Sequence, residues 1–252
     1  MRVFECGIGQ VCLDPDLVVG TVYCGGQGGD QGTRALVTNL YGGTYANAEH
    51  TQYTYASEAN AKALAALCAQ DGITFDPSIV ASDEIQNFVN GTFQMAFCWN
   101  ATQEATNADA LTFDVFPMAF PAEDGVPSLQ GGIWGFGIFN NGDDAKIAAC
   151  KEFIKFVCDS DMTAEAVKAS SFFPARTAAE GNDLTALFAG DEDMNVYNNC
   201  IMPNLGDYYT ITPGFAEVRT LWWNFLQKLG AGEDVKATAD DFNAQATATL
   251  PQ

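Results

Sequence analysis

The segment Pro213–Leu229 constrains this chain more than any other. It reads PGFAEVRTLWWNFLQKL, and Phe215, Val218, Trp222, Phe225, Leu226 and Leu229 recur at helical spacing along it. Pro213 and Gly214 stand just ahead, where a helix starts. A stripe this wide holds only against another apolar surface, so the chain needs a layered core behind it. Phe215 falls in the first turn, close to whatever that end of the helix faces. Taken alone, the pattern is also that of an ordinary amphipathic core helix.

A chain of 252 residues is long enough for a large core and for one or two domains. Apolar residues at 48% place it among folded chains rather than disordered ones. Acidic residues outnumber basic ones 32 to 11, a net charge of −21. That field disfavours nucleic acid and anionic membranes as partners, and anionic ligands too unless a local arginine overrides it. No apolar run is long enough to span a bilayer, and no secretory signal follows Met1.

Eight cysteines (Cys6, Cys12, Cys24, Cys68, Cys98, Cys150, Cys158, Cys200) include no CxxC pair. Cys150 and Cys158 fall in one predicted helix, roughly 12 Å apart at the helical rise, too far for a disulfide. Most of the others lie in apolar runs, where a free thiol packs as a small hydrophobe. With a single histidine, His50, and no paired ligand spacing, no zinc site is expected. No metal or organic cofactor is expected at all.

Cys24–Arg34 reads as a glycine-dense loop, and a helix is expected after it through Leu40. Ser57 caps an alanine-rich helix running to about Gln70. Asp83 caps a shorter one ending at Asn90-Gly91. Phe93–Trp99, Leu111–Met118 and Gly131–Phe139 read as strands. Asp143 or Asp144 opens a helix through Val157, with Ile147, Cys150, Ile154 and Val157 as its stripe. A short helix is expected near Leu184–Phe188, and a last one from Gly232 to Leu250 with Val235, Ala239, Phe242 and Ala246 on one face. Strands alternating with helices indicate an α/β protein with a mixed sheet, its strands few and short.

Several residues have the chemistry of a ligand site. Trp99 and Asn100 close an apolar run, placing an aromatic face beside an amide. Trp134 stands among small residues, which leaves a ring face open. Each tryptophan equally suits an ordinary core. Asp30, Gln31 and Arg34 supply polar groups to the glycine loop, as a ligand-lining segment or as a plain surface turn. That loop lacks the third glycine of a dinucleotide fingerprint. No GxSxG occurs, and His50 has no triad partner in view.

Four motifs in order carry a resemblance. They are Asp83–Phe97 (DEIQNFVNGTFQMAF), Gly131–Ile138 (GGIWGFGI), Ala145–Val157 followed by Phe173-Pro-Ala-Arg176, and Pro213–Leu229. Together they resemble family 1 of the extracellular solute-binding proteins, the carbohydrate-binding components of ABC importers, over residues 25–250. The resemblance implies a periplasmic-binding-protein-like α/β fold (type II), two lobes joined by crossover strands with the ligand between them. On that mapping residues 1–127 and 178–252 belong to the C-terminal lobe, and 128–177 form a crossover segment of the N-terminal lobe. Met1 then falls inside the C-terminal lobe, so the chain is expected to be truncated and to bind weakly alone, on the order of millimolar or undetectably. The resemblance further implies a neutral sugar or oligosaccharide as ligand, held by Asp30, Gln31, Arg34, Trp99, Asn100, Trp134 and Phe215. Sugar C–H faces stack on aromatic rings, and the hydroxyls need amide and carboxylate partners. ABC transporter membrane subunits are the implied partners, with a monomeric, extracytoplasmic, non-enzymatic protein. A hydrolase using a carboxylate pair and a non-functional remnant are the alternatives.

Overall fold

The computed structural model describes residues 21–22, 30–69, 73–74, 80–93, Ala96, Trp99, 101–116, 122–126, 135–204 and 212–251. In chain order the elements are β1 (Thr21–Val22), α1 (Asp30–Leu40), α2 (Glu58–Cys68), β2 (Ile73–Thr74), α3 (Ala81–Val89), α4 (Ala101–Asn107), α5 (Asp144–Asp159) and α6 (Thr163–Ser170). There follow β3 (Ala178–Ala179), β4 (Asn182–Asp183), α7 (Glu192–Val196), a π-helical turn (Tyr197–Ile201), a 3-10 turn (Met202–Asn204), α8 (Phe215–Gly230) and α9 (Val235–Ala248). β1 pairs with β2 in parallel, with α1 and α2 between them in the chain. A parallel pair needs such a crossover, and this one is the α/β unit of the fold. β3 and β4 form a tight antiparallel pair.

The core is built by α1, α2, α8, α9 and the tyrosine-rich segment at 45–55. Val218, Trp222, Phe225, Leu226 and Leu229 of α8 are all buried, as the stripe requires. They meet Ala239, Phe242 and Ala246 of α9 and Leu36, Val37 and Leu64 of α1 and α2. Phe225 and Phe242 stack at 4.8 Å, and Tyr55 sits edge-on to Phe242 at 4.8 Å. Local sequence sets the helix starts. Ser57, Asp143, Asp191 and Asp234 each accept a backbone N–H from the first turn of α2, α5, α7 and α9.

Five expectations need correction. The helix after the glycine loop begins at Asp30, so Asp30, Gln31 and Arg34 lie on α1 and not on a loop. The start of α3 is at Ala81, and Asp83 serves from inside its first turn, its carboxylate accepting the Val80 N–H at 3.1 Å. No strand includes Phe93, Ala96, Trp99 or residues 111–116. Phe113 and Trp99 pack instead edge-on against Phe88, at 5.6 and 4.8 Å. An apolar run alone does not distinguish a ladder from irregular chain anchored by rings. Residues 135–139 are likewise irregular; the rest of those three runs lies outside the described residues, as do Asn100 and Trp134. The helix expected at Leu184–Phe188 is a series of turns, and α7 follows it. There the Asp183 carboxylate accepts both the N–H and the hydroxyl of Thr185, at 2.9 and 2.6 Å, a local bond that competes with a helix. Finally, Cys68, expected to pack as a small hydrophobe, is exposed, and so are Cys150 and Cys158.

Candidate functional site

The sequence-predicted site residues fall into two clusters. In the first, α1 carries Arg34 into the core with no solvent exposure. Its guanidinium lies 5.2 Å from the centre of the Phe215 ring, at the mouth of α8. Tyr53 joins them, donating its hydroxyl to the Pro213 carbonyl at 3.0 Å. Burial pushes the Tyr53 phenol up to about 12, against the opposing pull of Arg34. His50 Nδ1 bonds the Thr212 hydroxyl at 2.8 Å one residue earlier. Arg34 and Phe215 are therefore together, as a sealed strut between α1 and α8. Asp30 and Gln31 lie one turn away on the same helix.

Trp99 belongs to the second cluster. It stands just ahead of α4 and packs on Phe88. Its indole Nε1 is buried without a hydrogen bond of good geometry. It borders the Glu104 carboxyl, whose charged form it favours. Glu104 opens onto a cleft of about 520 Å³. Across the cleft stand Asp191 and Asp193 at the start of α7, with Leu187, Phe188 and Met194; Lys168 and Ser171 close it from α6. The Glu104 carboxyl is raised, first by burial and then by the charge of Asp193 and a hydrogen bond shared with it. Tyr197, in the π-helical turn behind α7, is pushed up to about 12 by burial and by the charges of Glu104 and Asp193.

Local structure explains how these groups converge. Asp191 caps α7 through the Met194 N–H at 3.0 Å, which fixes the direction of the acidic first turn. Thr102 Oγ1 donates to the Ser170 carbonyl at 3.1 Å, tying α4 to the end of α6. Ser171 ends α6 in the left-handed region at φ 54°. Phe173 packs edge-on to Phe188 at 5.8 Å. The cleft size suits a small molecule, and three carboxyl groups face one ammonium. Sequence reasoning singled out Trp99, which stands behind the cleft, and did not single out the lining residues Glu104, Asp191, Asp193 and Lys168. Nothing local marks them among 32 scattered acids. Among the described residues no His, Cys, Asp and Glu cluster has the makings of a metal centre.

A family model for bacterial extracellular solute-binding proteins matches residues 35–195. The matched span runs from α1 to α7 and takes in every element around the cleft. The chain belongs to this family, the solute-capturing components of ABC importers, and has its periplasmic-binding-protein-like α/β fold. No curated protein and no solved structure matches it.

Proposed function

We propose that this chain captures a neutral sugar or oligosaccharide in the cleft between α4, α6 and α7, for delivery to the membrane subunits of an ABC importer. One observation carries the reading. The cleft is lined from residues 101–105, from 168–171 and from 187–194. Those stretches fall one in each of the three segments 1–127, 128–177 and 178–252, which we propose are the first part of one lobe, the crossover segment of the other, and the closing helices of the first. A cleft where all three meet is the place for an inter-lobe ligand. The chemistry is consistent: Phe188 offers aromatic surface, and Glu104, Asp191, Asp193 and Lys168 offer acceptors and a donor for hydroxyls. The carboxyl groups also disfavour an anionic solute.

The exposure of α5 supports the lobe division. Phe153 and Phe156 are 56% and 59% exposed, and Phe136, edge-on to Phe153, is 58% exposed. Segment 128–177 thus shares little of the α8–α9 core. Trp99 is the proposed stacking residue, and Asp30, Gln31, Asn100 and Trp134 remain proposed ligand contacts. Arg34 and Phe215 set the mouth of α8 from within. The protein is proposed to act as a monomer, without nucleic-acid partners.

The hydrolase alternative now has a pair to consider, Glu104 and Asp193. Glycoside hydrolases hold their carboxyl groups about 5–10 Å apart, flanking the scissile bond. Two carboxyls sharing a hydrogen bond leave no space for a sugar ring between them. Calorimetry with neutral mono- and oligosaccharides tests the proposal. Saturable binding is expected, weakened roughly two- to tenfold in Trp99→Ala, the size of one aromatic contact. Hydrolysis of the saccharides, or binding unchanged in Trp99→Ala, would refute it.

A further inference from the structure

We infer that Asn141 is a site of spontaneous modification, where the Gly142 nitrogen closes on the Asn141 side-chain amide and converts the residue to aspartate and isoaspartate. The pair Asn-Gly occurs twice in the chain, at Asn90-Gly91 and at Asn141-Gly142. In each, the glycine has no Cβ to shield its nitrogen. Both pairs are exposed, so sequence and exposure leave them equal. Local structure separates them.

Asn90 ends α3. Its amide oxygen accepts from Gln86 Nε2 at 3.1 Å, which draws the side chain back along the helix and away from Gly91. The Asn90 N–H donates to the Gln86 carbonyl at 3.0 Å and the Gly91 N–H to the Phe88 carbonyl at 2.9 Å. Ring closure there must first open the end of α3. Asn141 belongs to no regular element. Its amide oxygen accepts the N–H of Asp143, two residues ahead, at 3.2 Å, so the side chain lies forward over the Gly142 peptide. The Gly142 N–H donates to the Asn140 side-chain oxygen at 3.0 Å. Both bonds stay within residues 140–143, so the nitrogen reaches the amide carbon without opening a helix. The Asp143 N–H also supports the negative charge that develops on the amide oxygen as the nitrogen adds.

The step balances with water as its one co-reactant. The Gly142 nitrogen loses its proton and bonds to the Asn141 Cγ; the Cγ–Nδ2 bond breaks, and ammonia leaves with that proton. Water then opens the succinimide. Cleavage of the nitrogen–Cγ bond gives aspartate, and cleavage at the main-chain carbonyl gives isoaspartate. Aspartate keeps an acceptor for the Asp143 N–H. Isoaspartate routes the main chain through Cγ, lengthens it by one carbon and loses that acceptor. Asp143 is the cap of α5: its carboxylate accepts the Lys146 N–H at 3.1 Å and pairs with the Lys146 ammonium at 3.3 Å. With no fully buried residue on α5, its first turn leans on this cap, and isoaspartate frays it. None of this depends on the proposed ligand cleft.

Incubation of the full chain at pH 8, native and in urea, tests it. Peptide mapping with electron-transfer fragmentation follows, which tells isoaspartate from aspartate. In the native protein Asn141 is expected to convert about tenfold faster than Asn90, the cost of first breaking a backbone bond or two at the end of α3. In urea the two should convert at similar rates. Native conversion of Asn90 as fast as that of Asn141 would overturn the inference, as would an intact Asn141, or a preference for Asn141 that persists undiminished in urea. These arms use the wild type alone, so no variant needs to fold. Hydrogen exchange reads the consequence. The first-turn amides of α5 should lose protection several-fold in the isoaspartate form and keep it in Asn141→Asp, with α8 as internal reference. Asn141→Gln, whose longer side chain closes a ring far more slowly, should keep it throughout the incubation. Equal protection in the isoaspartate form and the fresh protein would reject the link to the α5 cap.

Discussion

Gly214 stands immediately before α8 at φ 77°, and a Cβ there would lie 2.8 Å from the Thr249 Cβ and 2.9 Å from its carbonyl oxygen. Both the backbone region and the space are closed to a side chain. Gly214→Ala should cost about 2–4 kcal/mol, as strain plus overpacking, read as a lower urea midpoint. Nearby, Tyr53 and Tyr197 should ionise late. A spectrophotometric titration of the folded protein is expected to leave the Tyr53 and Tyr197 phenols neutral until about pH 12, for reasons of burial at both and of carboxylate charge at Tyr197. Because the Tyr53 value is raised on folding, its contribution to stability is whole below the ordinary 10.0 and is lost as pH climbs towards 12. Tyr53→Phe should remove one late step. It should also cost about 1–3 kcal/mol by stranding the Pro213 carbonyl. All phenols titrating together near 10 would contradict both placements.

Helices with equally apolar sequences have opposite fates. The α8 stripe is sealed: Trp222 is 1% exposed and touches Phe225, Phe242 and Tyr55. Trp222→Ala should cost about 3–5 kcal/mol in denaturant unfolding, the range for a large aromatic removed from a core. On α5 no residue is fully buried, and Ile147, Ile154 and Val157 are only half covered. Phe156→Ser should therefore change stability by no more than about 0.5 kcal/mol. A large loss from Phe156→Ser would show that α5 is packed in solution as tightly as α8.

Cohesion is uneven across the whole molecule. One continuous core joins α1, α2, α8 and α9, whereas α5 packs on α6 and turns Phe153 and Phe156 outward. Native-state hydrogen exchange should divide accordingly. Amides of α8 and α9 should exchange only through global unfolding, and those of α5 and α6 through a cheaper partial opening. Identical opening free energies for both groups would rule out the division into segments 1–127, 128–177 and 178–252 as separately cohesive parts.

The helices around the core were legible because their determinants are local. Ser57, Asp143 and Asp234 cap within three residues, and the α8 and α9 stripes repeat every three or four. That the chain is an extracellular solute-binding protein was visible too, in an ordered series of motifs, and the match over residues 35–195 agrees with that class. Strands were not legible in the same way, since an apolar run such as Leu111–Phe116 satisfies a ladder and a ring cluster alike. Trp99 stood out as an aromatic at the end of an apolar run, but the acids near it did not. Glu104 and Asp193 acquire their significance only when α4 and α7 meet across a cavity, because a carboxyl's proton affinity depends on burial and on charges brought near by the fold. The same holds for Arg34. Its sequence gave a polar group suited to a ligand, and only the packing of α1 on α8 buried it over Phe215. Sequence by itself determined what each segment can become, through caps and periodicity. Tertiary structure decided which faces are covered and which charges meet, because those depend on residues far apart in the chain.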